Sequence, residues 1–284
     1  PAQLLVIANN DAKFVTKNDV AGFAGVSYNG FVSSENDSVL AGSLSIARMG
    51  ANESAGTYAG ALQASGLSAS NYSLTYVNGD YTIVPADQLL VRFGNTHSTY
   101  GDAHGLNFLS AQYMDSVSTI HTLNPVSVVG NQYTFDDGVG GTADFNIGLS
   151  GASLSSSGNF NVGSYALGLS NLTETSNNFS NTVNVVGNHA IDRATINVAA
   201  GGVSKVYDGT TSMNNITLNQ TGRISGDIVT LSGQSNYDSR NVGAGLGFSV
   251  GNVALGGVDS GNYVIAGGDF FSGNNGVITP KEVT

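Results

Sequence analysis

Ser249 lies in Gly247-Phe248-Ser249-Val250-Gly251, the G-x-S-x-G spacing that holds a nucleophilic serine on a sharp turn between a strand and a helix. That chemistry needs an acid and then a histidine further along the chain. All four histidines, His97, His104, His121 and His189, precede Ser249, and the residues around it alternate as a strand does. Gly138-Val139-Gly140-Gly141-Thr142-Ala143 fits a relaxed dinucleotide fingerprint. The Asp144-Phe145-Asn146-Ile147-Gly148 that follows alternates instead of opening a helix, so phosphate binding fails on context. With no cysteine in the chain there is no thiol nucleophile and no disulfide. No residue is assigned a catalytic role, and the expectation is a protein that is not an enzyme.

Metal ligands are sparse. His97, Asp102 and His104 sit close enough in sequence to share a metal, but no H-E-x-x-H or comparable spacing supports zinc, and two histidines of a polar loop fit them as well. Asp136, Asp137 and Asp144 make an oxygen-rich stretch of the type that binds calcium, although no EF-hand or nonapeptide spacing is present. A solvated acidic loop is the competing reading. No other cofactor is expected. Tyr113, Tyr133 and Phe135 lie near this stretch. Exposed rings beside Asn, Asp and Ser suit a glycan, since a ring covers the apolar face of a sugar. In a small β domain the same rings serve equally as core.

The elements that must position these residues are strands. Gly, Ser, Asn, Thr and Val dominate, Gly alone at 39 of 284 residues, with spaced Tyr and Phe and only 10% charged residues. That mixture suits short strands joined by tight turns. The net charge of −11 repels phosphate backbones and anionic lipid surfaces, which excludes nucleic acid as a partner. The longest wholly apolar run, residues 4–8, is far too short to insert into a membrane. No signal peptide is visible, which suits an interior segment of a longer protein as well as a cytosolic chain.

The chain repeats itself. Pro1-Ala2-Gln3-Leu4-Leu5-Val6 recurs as Pro85-Ala86-Asp87-Gln88-Leu89-Leu90-Val91, and Thr279-Pro280-Lys281-Glu282-Val283-Thr284 restarts it. A proline at each seam ends a strand by fixing one dihedral and removing an amide donor. Ile191-Asp192-Arg193-Ala194 is a further seam with Arg193 in the proline's place. The units are therefore 1–85, 86–192 and 193–284, carrying charges of −3, −7 and −1. The middle unit is the longest, with an insertion near 115–147 in which residues 125–135 form an added hairpin. Leu106, Leu109 and Tyr113 are spaced to line one short helix. In the first unit, residues 38–49 read as a strand broken at Gly42, and residues 72–84 read as a hairpin turning at Asn78-Gly79 with Tyr72, Leu74 and Tyr76 facing the core. Asn161-Val162-Gly163 and Asn241-Val242-Gly243 match in register, as do Asn71-Tyr72 and Asn262-Tyr263.

Near the start of the third unit stands Lys205-Val206-Tyr207-Asp208-Gly209-Thr210-Thr211, which resembles the signature of the Tyr-Asp-Gly (YDG) repeat domains of large secreted bacterial surface proteins. Ser98-Thr99-Tyr100-Gly101-Asp102 resembles the Tyr-Gly form of the related MBG repeats, and Ala12-Lys13-Phe14-Val15 is a degraded copy with Phe14 in the aromatic place. Gly56-Thr57-Tyr58 resembles a further MBG element. The resemblance implies an all-β chain of three tandem small domains, each an immunoglobulin-like sandwich or a grasp-like sheet, strung into an elongated rod. It also implies a secreted or cell-surface adhesin of the filamentous-haemagglutinin-like or two-partner-secreted type. Such a segment is a monomeric, non-catalytic stalk and presentation module serving adhesion, aggregation or biofilm matrix. The partners implied are host or bacterial surface glycan or exopolysaccharide, together with the rest of the parent chain. The alternative is that the enlarged middle domain itself binds polysaccharide.

Overall fold

The computed structural model describes every residue except 33–34, 180–181, 202, 214–215 and 283–284, so the last two residues of the third seam lie outside it. The described residues are almost entirely strand and turn, with two short 3-10 turns and no α-helix. The all-β expectation holds. The chain divides into two compact units. One comprises Pro1–Ser98, Asp102–Ala152 and Gly163–Asp192, and the other Thr99–Gly101, Ser153–Val162 and Arg193–Thr284.

In the first unit, strand Ala2–Ala8 pairs antiparallel with Val26–Asn29 and parallel with Tyr72–Val77. A second sheet runs Asp11–Phe14, Gly79–Val84, Gly56–Ser68, Ala41–Arg48. Period-two alternation turns Leu4, Val6 and Ala8 inward, and Val6 and Ala8 meet Leu62, Tyr81 and Ile83 of the facing sheet. A core fed by two sheets with no helix is a sandwich, not a helix-bearing grasp.

The hairpin expected over residues 72–84 does not form. Tyr72–Val77 and Gly79–Val84 belong to different sheets, and neither Asn78 nor Gly79 has the positive φ that a type I′ turn demands. The chain bends here to cross the core. Gly79 is required because a Cβ would stand 2.3 Å from the Ala8 carbonyl oxygen. Tyr72 is nevertheless buried, and Leu74 and Tyr76 pack on the core. The break expected at Gly42 is a register shift between Gly42 and Ser45 in the pairing with Gly56–Ser68.

The same unit contains a four-stranded sheet, ordered Ile120–Leu123, Asn107–Met114, Leu89–Gly94, Val183–Val186, and a six-stranded one. The latter runs Pro125–Val129, Gln132–Asp136, Thr142–Leu149, Gly163–Glu174, Asn188–Asp192, Thr96–Thr99. Residues 125–135 do form the added hairpin, which extends one edge of this sheet. The short helix does not exist. Leu106 precedes a strand, Asn107–Met114, in which a register shift after Phe108 lets Phe108, Ala111 and Tyr113 face inward while Leu109 faces solvent. Around Pro85 a separate apolar cluster of Ala12, Phe14, Val84, Leu90, Met114 and Val186 closes the seam.

The second unit repeats the plan. Ala194–Gly201 pairs with Thr217–Thr221 and, in parallel, with Tyr263–Ile265. The other sheet runs Ser204–Val206, Phe271–Thr279, Gly243–Gly256, Thr230–Tyr237. Between the sheets lie Met213, Tyr237, Phe248, Val250, Val253 and Ile278.

Candidate functional site

The signature residues of the third repeat form a closed loop. Ser204–Val206 lies parallel to the end of Phe271–Thr279, and the Tyr207 amide donates to the Thr279 carbonyl (2.8 Å). Lys205 folds back beneath the loop. Its ammonium donates to Asp208 Oδ1 (2.7 Å) and to the carbonyls of Thr210 (2.8 Å) and Ser212 (2.9 Å) and lies over the Tyr237 ring. Asp208 also accepts from the Thr210 amide and hydroxyl. These contacts, the lysine first, hold its carboxyl down at about 2. The Tyr207 ring, by contrast, is 38% exposed.

In the first repeat the Val15 amide donates to the Val84 carbonyl (2.9 Å), the bond that Tyr207 makes to Thr279. The aromatic position is therefore occupied by Val15, and Phe14 stands where Val206 stands. Lys13 matches Lys205 and is likewise buried, its ammonium 2.8 Å from Asp19 and 2.6 Å from Glu53. Arg48 pairs with the same two carboxylates and lies over the Tyr81 ring. Burial alone would lower the Lys13 pKa, but Asp19 and Glu53 outweigh it and raise the value. Sequence spacing gave no sign of this cluster, because Lys13 and Arg48 stand on separate strands of one sheet and Asp19 and Glu53 come from connecting segments that the tertiary fold brings to them.

Tyr100, the aromatic of the Tyr-Gly motif, belongs to the unit containing residues 193–284 and is only 2% exposed. Its hydroxyl donates to Asp227 Oδ2 (2.7 Å) and lies 2.6 Å from Ser155 Oγ. Asp227 also takes the Tyr263 hydroxyl and the Ser157 amide. Burial works against its charge, and these donors hold its carboxyl below the ordinary value. Asn262 accepts from the Val162 amide and donates to Asn161, and Asp259 accepts the amides of Ser156 and Ile228. Gly101 is required here, since with φ +89° its Cβ would lie 2.2 Å from Ile224 Cδ1.

A third polar cluster surrounds His189, which is fully buried. Thr96 donates to the Gly105 carbonyl (3.0 Å) and lies 2.8 Å from His189 Nδ1, so Nδ1 carries the proton and Nε2 accepts. Facing Nε2 are Ser98 Oγ (2.9 Å) and His104 Nδ1 (3.1 Å). Burial first, then His104 and His97, hold the His189 pKa down at about 4. Serine against imidazole is half of a nucleophilic pair, but a triad needs a carboxylate on the far nitrogen, where Thr96 stands. His97 instead faces Asp192 at 3.7 Å.

Tyr113, Tyr133 and Phe135 are buried in a core cluster of the first unit, with Phe93, Phe108, Phe145 and Phe179 against them. Their ring faces are covered by other rings, so the glycan assignment to these three is replaced by a core role. Asp137 accepts from the Val139 and Gly141 amides (both 2.9 Å), the Ser176 hydroxyl (2.5 Å) and Asn178 Nδ2 (3.0 Å). Burial opposes its charge, yet these donors hold it at about 2. Asp136 caps the Gly138 amide, and Asp144 lies on a strand and takes Gln132 and Thr134. Among the described residues no three His, Cys, Asp or Glu are grouped to hold a metal. Ser249 lies in mid-strand, Asn236 opposite, and no nucleophile turn exists.

Comparison with known families follows the same lines. Residues 4–82 match the MBG domain (YGX type), and residues 192–269 match the YDG domain. The chain therefore carries one domain of each type, an MBG domain and a YDG domain. Domains of these families are non-enzymatic modules of adhesin-like repeat proteins, which gives this chain a general adhesin-type role. No curated protein and no solved structure matches it significantly. Among the described residues no helix is long and apolar enough to cross a membrane.

Proposed function

We propose that this chain is a non-catalytic stalk and presentation segment of a large secreted or surface-attached bacterial adhesin, built from three successive MBG/YDG-type repeats over 1–85, 86–192 and 193–284. It serves adhesion, aggregation or biofilm matrix by spacing and displaying binding regions carried elsewhere on the parent chain. The observation that carries this reading is the fate of the signature residues. Lys205, Asp208, Tyr100 and Lys13, the positions that identify the repeats, are occupied by internal hydrogen bonds and ion pairs. Groups satisfied in this way fix loops and joints and are not poised for a substrate.

The test is to replace residues 1–284 in the parent adhesin with unrelated β modules of equal number. Attachment of cells to their surface should persist, and shortening the segment should reduce it. Loss of attachment on length-preserving replacement would make this segment the binder.

A further inference from the structure

Three polar atoms close into a triangle at one edge of the six-stranded sheet. His189 Nε2, on strand Asn188–Asp192, lies 2.9 Å from Ser98 Oγ, on strand Thr96–Thr99, and 3.1 Å from His104 Nδ1. Ser98 Oγ lies 3.2 Å from that same Nδ1, and all three residues belong to the first compact unit. Hydrogen bonding cannot fill this triangle. His189 gives its one proton to Thr96 through Nδ1, so Nε2 brings only a lone pair, and Ser98 and His104 Nδ1 supply at most two protons for three contacts. One contact has no proton in it.

An ion shared by the three atoms fits the same geometry. Two imidazole nitrogens 3.1 Å apart, each about 2.0–2.1 Å from one ion, subtend about 95–100° at it, between the octahedral and tetrahedral angles. The ring centroids of His104 and His189 are 4.9 Å apart and their planes cross at 76°. Two imidazoles on one ion at that angle place their centroids about 4.8 Å apart, whereas a straight N–H···N bond of the same length would place them about 5.4 Å apart. Thr96 gives the outer support that a ligating imidazole needs. It accepts from His189 Nδ1 and donates to the Gly105 carbonyl beside His104, which fixes the His189 ring and its tautomer.

We propose that His189, His104 and Ser98 bind one divalent transition ion of the zinc or copper kind, with water completing its shell. Two imidazoles and a hydroxyl suit such an ion and not calcium, which takes carboxylate and carbonyl oxygens. His189 is fully buried and His104 half-buried, so the ion enters from the His104 side and ties the loop carrying His104 to the two strands. Sequence spacing grouped His104 with His97 and Asp102 instead, but His97 turns to Asp192 and Asp102 is exposed. The inference does not rest on the stalk reading.

Zinc titration of the full chain, first stripped with a chelator, tests this by calorimetry and by proton NMR of the histidine rings. One ion should bind per chain, with the ring resonances of His104 and His189 moving and those of His121 unmoved. His104→Asn should weaken binding about tenfold or more, and His97→Asn should leave it unchanged. No saturable uptake of zinc, shifts confined to His97 or His121, loss of binding in His97→Asn, or a folded His104→Asn variant that binds as the wild type does would each overturn the proposal. The NMR shifts of the wild type decide the matter even if His104→Asn fails to fold.

Discussion

His189 gives the most direct link between a buried contact and a bulk property. Its imidazole is neutral in the folded protein, with Nδ1–H on Thr96 and Nε2 facing Ser98 and His104. Protonation would place a charge in a fully buried site beside His104, and the folded pKa falls from 6.5 to about 4. His104 is also depressed by burial, and His97 and Asp192 are the nearest other titrating groups. The sign follows from linkage. A base with a depressed folded pKa binds its proton more readily unfolded, so stability is complete above pH 6.5 and falls as pH drops toward 4. At 1.36 kcal/mol per unit, and allowing for residual solvation, His189 accounts for about 2–3 kcal/mol across that window. Urea unfolding at half-unit steps from pH 7.5 to 4.5 should show this loss in the wild type. His189→Gln, which removes the titration, should flatten it, although the variant is less stable at neutral pH. A proton NMR titration giving His189 a pKa near 6.5, or parallel pH dependence in the two proteins, would refute the reasoning.

Asp227→Ala should destabilise the protein by about 3–5 kcal/mol, because it leaves the Tyr263 hydroxyl and the Ser157 amide without an acceptor in a buried site and the Tyr100 hydroxyl with serine Oγ atoms alone, and denaturant unfolding measures it. Gly101→Ala should cost about 1–2 kcal/mol from left-handed strain and the contact with Ile224, read as a shift of the unfolding midpoint. Millimolar calcium should leave the thermal midpoint unchanged, since the Asp137 carboxylate is already bonded by two amides, Ser176 and Asn178; a rise in the midpoint would restore Asp136, Asp137 and Asp144 as ligands.

Composition, turn chemistry and recurrence along the chain were sufficient for the all-β class, the MBG and YDG resemblance, the added hairpin over residues 125–135 and the inward face of Tyr72, Leu74 and Tyr76. These are legible because strand alternation and turn residues act over a few neighbours. Local pattern also disposed of Ser249, since a nucleophile turn cannot sit in an alternating run. Other features depended on which strands pair. Residues 72–84 read as a hairpin because alternation on either side of Asn-Gly looks the same whether the chain turns back or crosses to another sheet. The close approach of Ala8 to Gly79 decides for crossing. Spacing at Leu106, Leu109 and Tyr113 suggested a helix, and sheet pairing with a register shift made it a strand. The aromatic position of the first repeat moved from Phe14 to Val15 only once the bond to Val84 was known. Lys13 with Asp19 and Glu53, His189 with His104, and Tyr100 with Asp227 join residues from 6 to 127 positions apart. No sequence period marks them, because a buried charge or imidazole is set by what the tertiary structure folds against it.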